Sequence, residues 1–208
     1  AKQTVVLNEI PGYYYEKDND PVFHHTRYRN QMIKKCVTPI IGIWDADILA
    51  PVEHILASVN AIREKKYSMT WPYDGTCYSI PEADSNTFRE EQDLSWIQEK
   101  SKSYSRMFVK HTVGGAFFVN KSDYIQIGME NEHIYGWGPE DIERLKRAII
   151  LEIPVLRIKG DLFHLDHPRF MNSRHANRKQ CIKNINELLK ICRLSKKELM
   201  NEIESWTW

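Results

Sequence analysis

The 208-residue chain reads as an α/β domain, a mainly parallel sheet with helices on both faces, closed by a C-terminal helical extension. Three observations predict this. Short β-branched runs alternate with segments of helical period, prolines stand where helices should open, and the residues after about 175 carry helical stripes alone.

In order, Val5, Val6 and Leu7 form an apolar start that gives way to a polar loop from Glu16 to Pro21. Pro21 to Lys35 suits a helix with Arg27, Arg29, Lys34 and Lys35 as a basic face. Val37 to Trp44 is a short apolar run of the kind a buried strand requires, and it ends in Asp45-Ala46-Asp47. Pro51 opens a helix in which Val52, Ile55, Leu56, Val59 and Ile62 recur at offsets of three and four. Tyr67 to Tyr73 is the next strand, ended by the turn pair Asp74-Gly75. Residues 81–105 are polar and irregular, a long functional loop with one amphipathic stretch around Leu94, Trp96 and Ile97.

Gly114-Gly115 then leads into a strand, Ala116 to Val119, and Ser122 to Ile127 makes a short helix closed by Gly128. Pro139 opens a helix carrying Ile142, Leu145, Ala148 and Ile149. A strand near Val155 to Ile158 leads to Gly160 and on to His164-Leu165-Asp166-His167-Pro168. In the tail, Ile182, Ile185, Leu188, Leu189 and Cys192 form one stripe. Ser195-Lys196-Lys197-Glu198 is a capping box for a last helix bearing Leu199, Ile203 and Trp206.

With 29 basic and 28 acidic residues the net charge is +1, which argues against nucleic acid as a partner, since phosphate binding needs a concentrated positive field. The richest apolar stretch, Ala148 to Leu156, is broken by Glu152 and Pro154, so no transmembrane segment is expected. Cys36, Cys77, Cys181 and Cys192 are scattered without a C-x-x-C pair, which fits free thiols in a reducing compartment and a cytoplasmic location, with the inner face of the membrane as a variant. The chain opens at Ala1 without an initiator Met, the expectation being a piece of a longer protein. The last helix, with Trp206 and Trp208, is expected to pack on the core, a peripheral membrane surface or partner protein being the other uses of such a face.

Chemistry concentrates in three places. Asp45 and Asp47 end an apolar strand, where open α/β sheets gather ligands, and two carboxylates so spaced can hold a divalent ion. Asp also favours solvated loops and helix caps, so the spacing leaves both uses open. His164 and His167 follow another strand. Joined to the aspartates they make a mixed oxygen and nitrogen set suited to manganese or another borderline ion, and no cysteine stands beside them for a closed zinc site. In Tyr135-Gly136-Trp137-Gly138-Pro139-Glu140-Asp141, the glycines let the backbone approach a ligand and Trp137 offers a flat face for a sugar ring. Glu140 and Asp141 sit in a helix's first turn, where they either cap it or orient and deprotonate a sugar hydroxyl.

These segments, in this order, together with Gly114-Gly115-Ala116-Phe117-Phe118-Val119-Asn120-Lys121, resemble the GT-A fold glycosyltransferases. The nearest likeness is to the C-terminal, catalytic half of beta-1,4-galactosyltransferases and their bacterial capsule-biosynthesis relatives, over roughly residues 22–170. The resemblance implies a GT-A-like domain over 1–175 with its N-terminal nucleotide-binding strand expected to be missing, and an amphipathic helical extension over 176–208. It implies Asp47, His164 and His167 as ligands of manganese, and Asp45 as a contact of the donor ribose or sugar. Trp137 would stack on the sugars, with Gly138 and Gly115 lining the substrate site, Glu140 would touch a hydroxyl, and Asp141 would be the general base. His25 and Arg27 would meet donor phosphates.

His164 stands where the animal enzymes carry methionine, which hardens the site toward magnesium. Pro139 replaces a glycine of many relatives and stiffens the loop. The implied activity is inverting transfer of a hexose or N-acetylhexosamine, galactose-type favoured, from a uridine-diphosphate sugar to a glycan acceptor in capsular or surface polysaccharide synthesis. A non-catalytic or truncated nucleotide-sugar-binding module is the alternative. A metal-dependent nucleotidyltransferase would want a glycine-rich basic phosphate loop near its first strand, and the sequence has none.

Overall fold

A computed structural model describes residues 17–107, 111–168, 175 and 177–208. The Val5–Asn8 run lies outside them. Helix α1 (His25–Lys35) leads to strand β1 (Ile40–Trp44), the two-residue β2 (Ile48–Leu49) and helix α2 (Val52–Arg63). Strands β3 (Met69–Trp71) and β4 (Thr76–Ser79) precede helices α3 (Glu82–Glu91) and α4 (Leu94–Glu99) and strand β5 (Ser105–Arg106). Then come β6 (Ala116–Asn120), α5 (Lys121–Gln126), α6 (Glu140–Ile150), β7 (Val155–Arg157) and β8 (Asp161–His164), and last α7 (Arg178–Arg193) and α8 (Lys196–Glu204).

The strands form two four-stranded sheets, β1-β6-β3-β7 and β2-β8-β4-β5. Both are mixed, which corrects the expectation of a mainly parallel sheet. Only β3 with β7 and β4 with β8 run parallel, while β6 is antiparallel to both its neighbours. Helix α2 does carry the chain from β1 to a strand pointing the same way, as alternation predicts. Strand β6 then wedges between them, entered from the Gly114-Gly115 turn. Sequence alternation specifies a crossover but not which later strand fills the gap it leaves. Buried from Ala116 to Val119, β6 is the spine of the main core, flanked by Met69, Trp71 and Ile41.

The expected irregular loop over 81–105 is also corrected. Glu82 and Asp84 favour the positive end of α3, and Asp93 caps α4 by accepting from the backbone N–H groups of Ser95 and Trp96. These polar helices show only a narrow apolar edge, which closes a satellite core of Ile80, Ile97, Tyr104, Phe163 and Leu165. On α2 the buried line runs through Ser58 and Ile62, leaving Val52 and Leu56 exposed. On α7 it runs through Asn184 and Ile191, leaving Ile182, Ile185, Leu189 and Cys192 exposed. The capping box at Ser195 is present.

Ile191, Leu199 and Ile203 join the same core as the sheet, and Trp206 and Trp208 pack against it. The two indoles stack at 4.7 Å, with Trp208 Nε1 donating to the Gly128 carbonyl at 3.2 Å. Gly128 has φ +90°, and a side chain there would strike Trp206. The cysteines described are free thiols, and no described helix is long and apolar enough to cross a membrane.

Candidate active site

The turn after β1 places the two aspartates. Asp45 N–H donates to the Gly115 carbonyl at 2.8 Å, extending the β1–β6 ladder by one rung, and Ile48 N–H closes the turn on the Asp45 carbonyl at 3.0 Å. Ile48 then pairs with His164 across β2 and β8, and Leu165 N–H donates to the Asp47 carbonyl at 2.8 Å. The two-residue strand thus brings Asp47 to the end of β8. Asp47 Oδ2 lies 2.9 Å from His167 Nε2 and 3.6 Å from His164 Nε2, and one ligand atom from each residue falls within 4.8 Å of the others. His167 Nδ1 is 3.1 Å from the Pro168 carbonyl, a bond that protonates Nδ1 and leaves Nε2 as the ligand nitrogen. A carboxylate and two imidazoles from a turn and a strand end fit a borderline first-row divalent ion.

Asp45 points elsewhere. Its Oδ1 accepts from Arg29 Nη2 at 3.2 Å. Though its side chain is 48% exposed, desolvation by the surrounding cleft wall works to raise its carboxyl, Arg29 opposes that, and Asp141 and Asp47 add to it. Arg29 is partly buried, and its Nη1 reaches toward Glu130 Oε2 at 4.0 Å. It lies one helical turn beyond His25, so both face a cleft of about 810 Å³. Phe23, Trp44, Asp45, Asp47, Trp137, His164 and His167 line it too. Arg27 is not among the lining residues; Asp18 holds its guanidinium at 2.7 Å.

The loop before α6 is fixed from behind. Asn184 on α7 accepts from Tyr135 N–H at 3.2 Å and donates to the carbonyls of Tyr135 at 2.9 Å and Trp137 at 3.2 Å. A side chain at Gly138 would strike Asn184 and Ile134, which explains that glycine, while Gly136 turns at φ +68°. Trp137 remains 43% exposed at the cleft, its edge against His175 at 4.7 Å. Glu140 is buried with Oε1 3.2 Å from His25 Nε2, and its Oε2 is buried without a hydrogen-bond partner.

Asp141 is held by Arg144, whose Nη1 donates to Oδ1 at 2.8 Å, while Oδ2 faces the space left by the absent side chain of Gly114. Tyr73 fixes that neighbour by donating its hydroxyl to the Gly114 carbonyl at 2.6 Å, and burial pushes the phenol up so that it stays a donor. Gly115, at φ +86°, contributes its carbonyl to Asp45, and its own side-chain position abuts Ile48. Sequence reasoning missed Arg29, Glu130, Arg144 and Asn184. For Arg29 a signal existed, the shared helical face with His25; the others read as ordinary helix and loop polarity.

Residues 97–172 match the family model described as the N-terminal domain of galactosyltransferase. The matched stretch takes in β6, the Trp137 loop, α6 and the His164–His167 pair. No curated protein matches the chain. The likeness to the catalytic half of galactosyltransferases thus meets a model that covers part of the chain under another label. What it shows is coarser: over residues 97–172 the chain is similar to a galactosyltransferase domain, which supports a glycosyltransferase.

Proposed function

We propose that this domain is a GT-A-type, inverting, metal-dependent glycosyltransferase. It would move a hexose or N-acetylhexosamine, galactose-type favoured, from a uridine-diphosphate sugar to a sugar hydroxyl of a glycan acceptor, in the building of surface polysaccharide. The observation that carries this reading is the convergence of Asp47, His164 and His167 on the cleft that also holds Asp45 and Trp137. Manganese, with magnesium as the alternative, fits those three side chains and when bound would neutralise charge on the departing diphosphate.

The chain's own residues do the rest. Arg29 and Asp45 meet the donor at the β1 end of the cleft, with His25 one turn earlier on α1. Trp137 stacks on the sugar and fixes which face is presented. Arg144 occupies Asp141 Oδ1, so Oδ2 is the oxygen that takes the acceptor hydroxyl proton as that oxygen attacks from the face opposite the leaving group. The anomeric centre then passes through a state of oxocarbenium character. Glu140 would hold a neighbouring hydroxyl, a role supported by the lack of any hydrogen-bond partner on its Oε2.

Uridine diphosphate titrated with and without manganese should bind only with the ion, and donor hydrolysis should follow with a uridine-diphosphate sugar. Asp141→Asn should lose about a hundred- to ten-thousand-fold in turnover while nucleotide affinity is kept. Normal turnover in that variant would refute the base assignment. Binding with no turnover in the wild type, across a panel of nucleotide sugars, would favour the non-catalytic module.

A further inference from the structure

The two carboxylates assigned to donor contact and proton removal come from separate elements, yet both trace back to one buried side chain. Glu130 lies in the loop after α5 and is 1% exposed. Arg144 Nη2 and Nε bind its two oxygens at 2.8 and 3.1 Å, and the third guanidinium nitrogen reaches Asp141. From the other side, Arg29 holds Asp45 with Nη2 while its buried Nη1, without a hydrogen bond, is turned toward Glu130 at 4.0 Å.

Glu130 has further anchors besides the arginines, although the Tyr124 hydroxyl among them also accepts from Arg144 Nε at 3.1 Å. Tyr124 donates its hydroxyl to Oε1 at 2.9 Å, and the Glu130 backbone N–H donates to Asn30 Oδ1 at 2.8 Å. The Arg144 guanidinium sits over the Phe117 ring at 4.0 Å, on the central strand, so it cannot swing away from Asp141 without losing the core face it covers. A planar fork that spends Nε and Nη2 on one carboxylate has its plane fixed, and with it the direction in which Nη1 meets Asp141.

We infer that Glu130 and Arg144 are positioning residues: Glu130 orients the Arg144 fork so that Asp141 is held with Oδ2 toward the acceptor side, and its charge steadies Arg29 against Asp45. This rests on the functional reading above. It assigns a division of labour, because Arg144 acts through the base and Arg29 through the donor contact.

The test is a set of conservative variants, each first checked for a native near-ultraviolet circular dichroism spectrum. Arg144→Lys should lower kcat by about ten- to a hundredfold with the donor KM within twofold. Arg29→Lys should instead raise the donor KM with a smaller effect on kcat. Because Arg144 acts through Asp141, the double variant Arg144→Lys/Asp141→Asn should be no slower than Asp141→Asn alone. An Arg144→Lys variant that keeps kcat within twofold, or losses that multiply in the double variant, would overturn the inference. Should the wild type turn over no donor at all, the enzyme reading falls separately. The same cycle scored by urea unfolding then still decides whether Arg144 and Asp141 act as a unit, and additive changes would overturn it.

Discussion

Gly114→Ala isolates the geometry of the base from the stability of the fold. A β-carbon at residue 114 would lie well inside contact distance of Asp141 Oδ2 and 3.2 Å from its Cγ, where ordinary contact begins at 3.4 Å. The carboxylate must therefore retreat by on the order of 1 Å, a misplacement that typically costs about a hundredfold in rate. Two restraints stop the strain from dissolving elsewhere. Arg144 grips Oδ1 at 2.8 Å, and the Tyr73 hydroxyl pins the backbone of residue 114 at 2.6 Å. The backbone of residue 114 lies outside the left-handed region, so alanine carries no conformational penalty of its own. Steady-state kinetics should show kcat down about a hundredfold, an unchanged donor KM and a thermal midpoint within a few degrees of wild type. Full turnover by a normally folded Gly114→Ala protein would refute the placement of Asp141 as base.

Three further outcomes follow from the same contacts. Asn184→Ala removes the bonds to Tyr135 and Trp137 and should cost about 1–3 kcal/mol, read as a lower thermal midpoint, with acceptor KM raised and donor KM unchanged. Manganese at about a hundred times its dissociation constant should stabilise the wild type by about 2.7 kcal/mol in a thermal-shift assay, and Asp47→Asn or His167→Ala should abolish the gain. Burial works to raise the Glu130 carboxyl, but Arg144, Arg29 and Tyr124 overcome it and hold it at about 2, below its ordinary 4.5. A depressed carboxyl contributes stability above the unfolded value and loses it as pH falls through the folded one. Acid titration of unfolding should therefore show about 3 kcal/mol lost between roughly pH 4.5 and 2, a slope that Glu130→Gln flattens.

Much of the site was readable because its parts sit at strand ends with plain signals. The apolar run into Asp45 and Asp47 and Pro139 ahead of Glu140 and Asp141 lie where they were expected, whereas His164 closes a second strand, β8, that the expected strand near Val155 to Ile158 does not include. What escaped were contacts that no periodicity encodes. Strand β2 is two residues long, too short to leave a pattern, yet its pairing with β8 is what carries Asp47 to the histidines. Arg144 and Arg147 look like the solvated side of an amphipathic helix, but both are fully buried, each neutralised by a glutamate, Glu130 and Glu143. On α7 the converse holds: Ile182, Ile185 and Leu189 share an apolar stripe yet stay exposed, while the buried face turns on the amide of Asn184. Burial of polar groups is decided by partners far away in the chain, and a single sequence does not print those partners.

The grip of Asn184 on the Trp137 loop also bears on how this domain could be re-engineered. Three main-chain bonds run from one amide in the tail to residues 135 and 137, and Gly138 is closely fitted to the same amide. Loop and helix therefore form one cassette. A chimera that imports another protein's tryptophan loop to change the sugar it accepts must bring the matching tail helix with it, or the grafted loop will have nothing to hang from.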